Sequence, residues 1–204
     1  MNNFLKSLLY YFIAGFGISL TVIANIGVSS YSSMSLSLSH ITNLKFGTIM
    51  TILNLIFLLL YFIISKNKNL KNIFIMFISL ISFGYVTNFY LYYVLKNLSF
   101  DNYIYNIFLF ILGTIIAGFG SGRVLKLDIL KFPLEAFCKE LGELTKFSFS
   151  FYRYLLDFIF TILSIFLSYY FSVPYFIREG TIISLFLLPG VISIFSKDNS
   201  LKSK

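Results

Sequence analysis

Apolar residues fill this chain in long blocks, and polar residues separate the blocks rather than alternate with them. Six stretches, 5–24, 46–64, 72–95, 103–125, 149–171 and 180–195, are mostly apolar. Each is near the ~20 residues a helix needs to cross a bilayer. The last is the shortest and carries Pro189 near its end; a membrane helix tolerates proline when its neighbours satisfy the freed carbonyl. The pattern predicts an all-α fold, a polytopic bundle with six transmembrane helices. Residues 1–196 are read as one integral membrane domain and 197–204 as a short basic tail.

The blocks repeat. Ala14-Gly15-Phe16-Gly17 returns as Ala117-Gly118-Phe119-Gly120, 103 residues later. The same register sets Asn25 over Asp128, Phe46 over Phe149, Leu53 over Leu156 and Asn54 over Asp157. It defines two halves of three spans, about 5–95 and 103–196. Small residues at Gly113, Ala117 and Ser121, and at Gly17 and Thr21, would let the first and fourth helices approach closely.

Two connections are unusual. No Lys, Arg, Asp or Glu occurs from Ser7 to Leu44. That run is too long for one span and too polar for two. It divides at Asn25-Ile26-Gly27, residue types that suit a turn. The serine-rich piece that follows, 29–39, alternates as a strand would. Its counterpart in the second half decides otherwise. Between Pro133 and Leu144, apolar residues at 134, 137, 138, 141 and 144 form a helical stripe, with Pro133 suited to a first turn. Each half is therefore expected to carry a short helix after its first span, interfacial or re-entrant.

Charge sets the orientation. With the N-terminus inside, the inner segments hold 12 Lys and Arg and the outer loops three, Lys45, Lys96 and Arg178. By the positive-inside rule both termini are cytoplasmic. Three spans per half then make the second half enter the membrane inverted, an arrangement that places sites at the repeat interface. The serine-rich helix would face outward and the charged one the cytoplasm.

Composition agrees with a membrane protein: 58% of residues are hydrophobic and 12% charged, and mean hydropathy is +0.86. The net charge of +8 sits between apolar blocks, so it does not indicate nucleic acid. A single cysteine, Cys138, excludes an internal disulfide. His40 is the only histidine and lies in an outer loop. No metal-ligand pair, phosphate loop or nucleophile–base pair is visible, so no cofactor, metal or enzymatic activity is expected.

Asp157 is the best single candidate for function. A carboxylate at the centre of a span costs about 2.5–3.5 kcal/mol on insertion scales. Its repeat partner Asn54 would complete a polar pair for a solute or a proton. The competing reading is an Arg153–Asp157 pair that only anchors the helix. Asn25 and Asp128 each precede a break, where they would hold a turn or face a cavity. Arg178 and Glu179 open the last helix, where an acid suits the positive helix end. Glu135 is read the same way, and Asn88 as an interhelical hydrogen bonder.

Ala24-Asn25-Ile26-Gly27-Val28-Ser29-Ser30, Lys45-Phe46-Gly47-Thr48 and Arg178-Glu179-Gly180-Thr181-Ile182-Ile183 occur in this order. Together they resemble the YczE/YyaS/YitT group of bacterial membrane proteins, nearest its uncharacterised six-span subgroup. The resemblance covers nearly the whole chain and implies a fold and a bacterial cytoplasmic-membrane location rather than a mechanism. One departure is Pro133-Leu134-Glu135-Ala136, where the group often has Pro-Gly-Glu-Gly.

The function expected is binding or transport of a small solute at the interface of the halves. The candidate contacts are Asn54, Asp157, Asn25, Asp128, Arg153, Arg178 and Glu179. The alternative is a non-transporting membrane assembly or accessory factor acting through helix 133–144. Expected partners are the lipid bilayer, a small-molecule solute, and a second copy of the chain or a transporter partner subunit. No nucleic-acid partner is expected.

Overall fold

The computed structural model describes residues 3–65, 70–127, 129–130 and 132–196. The described residues form α1 (Asn3–Ile23), α2 (Ser30–Thr42), α3 (Phe46–Ile64), α4 (Leu70–Phe89), α5 (Tyr103–Leu127), α6 (Pro133–Leu144), α7 (Phe149–Tyr170) and α8 (Glu179–Ser196). A π-helical turn, Tyr90–Val94, continues α4. Six of these helices are long and apolar enough to cross a membrane. They coincide with the six predicted stretches, apart from shifts of a few residues at the ends. This is the architecture of a multi-pass membrane protein.

Local chemistry sets the helix ends. The Ser29 hydroxyl accepts from the Ser32 amide and caps α2, and Asn43 ends it in the left-handed conformation at φ 57°. Ser148 caps α7 by accepting from the Phe151 amide. Proline in the first turn opens α6. The serine-rich stretch is thus a helix, as its charged counterpart indicates.

Close packing follows the small residues. A Cβ at Gly120 would lie 2.6 Å from the Ala14 amide nitrogen, and one at Gly17 would run into the backbone of Gly113 and Ala117. Higher residue numbers on α5 meet lower ones on α1, so the two helices are antiparallel. The two Ala-Gly-Phe-Gly copies therefore pack on each other, Ala14 against Gly120 and Gly17 against Ala117. α3 and α4 meet through Gly47 and Gly84. Asn88 joins them by accepting from the Gly47 amide at 2.8 Å and donating to Thr48 at 3.2 Å.

Both short helices pack within the bundle. α2 lies against α3 and α7, and so does α6. On α2, Ser30, Ser32, Ser33, Ser35, Ser37 and Ser39 are all buried. On α6, Pro133, Leu134, Ala136 and Cys138 are buried, whereas Lys139, Glu143 and Leu144 are exposed. Tyr31, Phe57, Phe83, Leu134 and Phe160 belong to one core cluster that ties the short helices to the long ones. The opposite face of α7 is open, with Phe158, Phe166 and Tyr169 more than half exposed; apolar side chains there suit contact with lipid.

Candidate functional site

The site grows out of α7. One face of this helix carries Arg153, Asp157, Phe160, Thr161, Ser164 and Ser168 at spacings of three and four, so they form a single stripe. α2 lies along its upper part in a constant register. Thr161 donates to Ser30 at 3.1 Å, Ser33 and Ser164 share a bond of 2.6 Å, and Ser37 bonds Ser164 at 3.1 Å and Ser168 at 3.3 Å. The pairs Ser30–Thr161, Ser33–Ser164 and Ser37–Ser168 are each separated by 131 residues. α2 therefore runs parallel to α7, and its N-terminal end stops beside Thr161, in the middle of the longer helix.

α6 meets the lower part of the stripe. Arg153 donates through Nη1 to Asp157 Oδ1 at 2.6 Å, and its Nε lies 3.9 Å from Glu135 Oε1. Farther along α6, a Cβ at Gly142 would sit 3.2 Å from the Phe149 amide nitrogen. α6 is therefore antiparallel to α7, and its N-terminal end is the one that reaches inward. The N-terminal ends of both short helices converge on one stretch of α7, from Arg153 to Thr161.

Aromatic rings enclose this place. Tyr31 packs on Phe160 with centroids 5.5 Å apart and donates its hydroxyl to the Met50 carbonyl at 3.2 Å. Phe57 touches Phe137 and Phe160. Phe132, just before α6, stacks on Tyr11 with centroids 4.6 Å apart. The side chains of Glu135, Arg153 and Asp157 retain 21%, 22% and 12% of their exposure, so the cluster is largely enclosed.

The predicted residues separate into groups. Arg153 and Asp157 are at the centre of the cluster. Asn54 is buried on α3, a turn from Phe57, and no hydrogen bond joins it to Asp157 among the described residues. Asp128 lies outside the described residues. Asn25, Arg178 and Glu179 form a different assembly at the start of α8. Asn25 is exposed with φ 50°. Its carbonyl accepts from Arg178 at 3.0 Å, and Arg178 pairs with Glu179 at 3.6 Å. The Gly180 amide donates to the Ile26 carbonyl, and Thr181 donates to the Val28 carbonyl at 2.7 Å. Backbone groups fill this assembly, so it holds the first break in place.

The family comparison covers residues 1–197, nearly the whole chain. The chain belongs to DUF6198, a family of unknown function. No curated protein and no solved structure matches it. DUF6198 membership supports an uncharacterised membrane family and does not name the YczE/YyaS/YitT group. In this DUF6198 chain, Glu135 and the hydroxyls of Ser30, Ser33, Ser37, Thr161, Ser164 and Ser168 join the candidate site only in the folded structure. One signal was available for the hydroxyls. Ser30, Ser33 and Ser37 on one short helix, and Thr161, Ser164 and Ser168 on an apolar one, each recur at helical spacing. No group of His, Cys, Asp and Glu among the described residues is arranged to hold a metal ion.

Proposed function

We propose that this protein binds or passes a small polar solute where α2 and α6 meet α7. The observation that carries the reading is the Glu135–Arg153–Asp157 cluster, set inside an apolar bundle where two short helices end. Charged side chains within a membrane domain are costly and concentrate along substrate and ion pathways. Broken helices whose N-terminal ends meet near the middle of a bundle provide backbone groups for a ligand. Arg153 and Asp157 would contact the solute first, with the hydroxyls of Ser30 and Thr161 at the edge.

In this reading the two halves are inverted repeats, and both termini face the cytoplasm of a bacterium. Reciprocal packing of the two Ala-Gly-Phe-Gly copies supports the first point, since a two-fold relation makes each copy meet the other. The parallel pairing of α2 with α7 and the packing of α6 on α3 support it too. The loop charge count supports the second.

A ligand screen on purified protein tests the proposal, with thermal stabilisation read in wild type and in Asp157→Asn. A stabilising solute that loses its effect in the variant is the expected result. Stabilisation unchanged by both Asp157→Asn and Arg153→Gln would remove the solute from this site. The accessory-factor reading rests on the exposed residues of α6, Lys139, Glu143 and Leu144. It predicts instead that charge reversal at Lys139 abolishes the phenotype while Asp157→Asn does not.

A further inference from the structure

We infer that Glu135 and Asp157 share one exchangeable proton, that it resides on Glu135, and that Arg153 switches between one carboxylate and two as the proton comes and goes. This rests on reading the cluster as the solute site, and makes the proton that solute's co-substrate.

Among the described residues, two carboxylates stand against one guanidinium. Lys139, one turn along α6 from Glu135, is exposed and forms no ion pair with it among the described residues. Tyr11 from α1, Tyr31 from α2 and Cys138 from α6 are within electrostatic reach of Glu135. Each is neutral in its ordinary form. α3 faces α6 with Phe57, and its only titratable side chain is Tyr61. The hydroxyl row between α2 and α7 carries no titratable group. With both carboxylates ionised, the interior would hold one uncompensated negative charge, which a low-dielectric site strongly disfavours. One proton makes the cluster neutral.

Geometry decides which carboxylate takes it. Asp157 receives a charge-assisted bond of 2.6 Å, whereas Glu135 is 3.9 Å from the nearest guanidinium nitrogen, too far for a hydrogen bond. The N-terminal end of α6 favours a carboxylate at Glu135. That influence is the weaker one beside a direct bond to a full charge. The proton therefore rests on Glu135. When it leaves to water, the new carboxylate draws Arg153 towards α6. The contact between α6 and α7 then tightens where the short helices converge. Binding the proton reverses this and leaves Arg153 to Asp157 alone.

Infrared titration of the purified protein in lipid nanodiscs reads this directly, through the C=O stretch of a protonated carboxylic acid. Wild type is expected to show one such band at neutral pH. Glu135→Gln removes it. Asp157→Asn also removes it, because Arg153 is then free to pair with an ionised Glu135. Arg153→Gln raises it about twofold, since two carboxyls without a guanidinium both keep a proton. Absence of the band from wild type overturns the proposal, whether or not the variants fold, and so does a band that survives Glu135→Gln. A band present with no solute found leaves the proton site standing and removes the solute reading. A solute lost in Asp157→Asn without the band does the reverse.

Discussion

Arg178 donates to the backbone carbonyl of Asn25 at 3.0 Å across 153 residues of sequence. Two motifs that look independent in the chain form one clasp. Around that bond, α8 begins by pairing with the extended segment that leads into α2. Gly27 adopts φ +105°, and a Cβ there would be 3.0 Å from the Arg178 amide nitrogen. The segment must pass close to α8 because its carbonyls are the partners of Gly180 and Thr181.

This assigns Asn25 a backbone role. Asn25→Gly, which suits a positive φ, is expected to leave stability within about 0.5 kcal/mol of wild type. Gly27→Val should cost about 1–3 kcal/mol through strain and contact with Arg178. Thermal unfolding in detergent measures both. A glycine at 25 that abolishes solute stabilisation would return Asn25 to the binding site.

The antiparallel seam of α1 and α5 makes a second prediction. Gly120→Ala places a Cβ 2.6 Å from the Ala14 amide nitrogen and 2.7 Å from the Tyr10 carbonyl oxygen. An overpacking cost of about 1–3 kcal/mol is expected. Gly190 has nothing within 4 Å of its Cβ position, so Gly190→Ala is the matched control and should be near neutral. Equal losses in the two variants would contradict this seam.

Arg153 and Asp157 should be strongly coupled. Each single change removes a charge-assisted hydrogen bond of a part-buried pair, at a cost of about 1.5–3 kcal/mol, softened where Glu135 takes over as the partner of Arg153 or a proton neutralises Asp157. Arg153→Gln combined with Asp157→Asn is expected to recover part of that loss. A double-mutant cycle on unfolding free energy checks it. Strict additivity would reduce the pair to a surface anchor.

The register of α2 on α7 can be trapped. Ser33→Cys with Ser164→Cys, in a Cys138→Ala background, should oxidise to a disulfide, because the two hydroxyls are bonded at 2.6 Å. Ser33→Cys with Ser168→Cys should not, since those positions are a turn out of register. The reverse outcome would move α2 along α7 and displace the site.

Orientation needs a different position from the native thiol, because Cys138 is fully buried. Lys139→Cys and Lys45→Cys, each without Cys138, are exposed alternatives. Impermeant thiol labelling should reach the first only from the cytoplasm and the second only from outside. Labelling of both from one side would contradict the inverted halves.

The candidate site is legible in the sequence only unevenly. Asp157 is conspicuous because a carboxylate in an apolar block is costly, and Arg153 stands one turn away. Glu135 does not stand out, because an acid in a first helical turn already has a local explanation. Its distance to Arg153 depends on how α6 leans on α7. The repeat register pairs Asn54 with Asp157. Register relates positions in two halves and does not require the two side chains to touch.

Sequence alone determined the spans, the two short helices and the paired Ala-Gly-Phe-Gly motifs. These depend on apolar length, helical periodicity and residue size, which are local properties. Only the tertiary structure decided that those motifs pack on each other, that Asn25 and Arg178 form a clasp, and that α2 and α6 both end beside Arg153, Asp157 and Thr161. Contacts between residues more than a hundred positions apart are chosen by competition among many apolar faces of similar chemistry. Shape and the need to satisfy a few buried polar groups decide that competition, and neither is written in any single stretch of the chain.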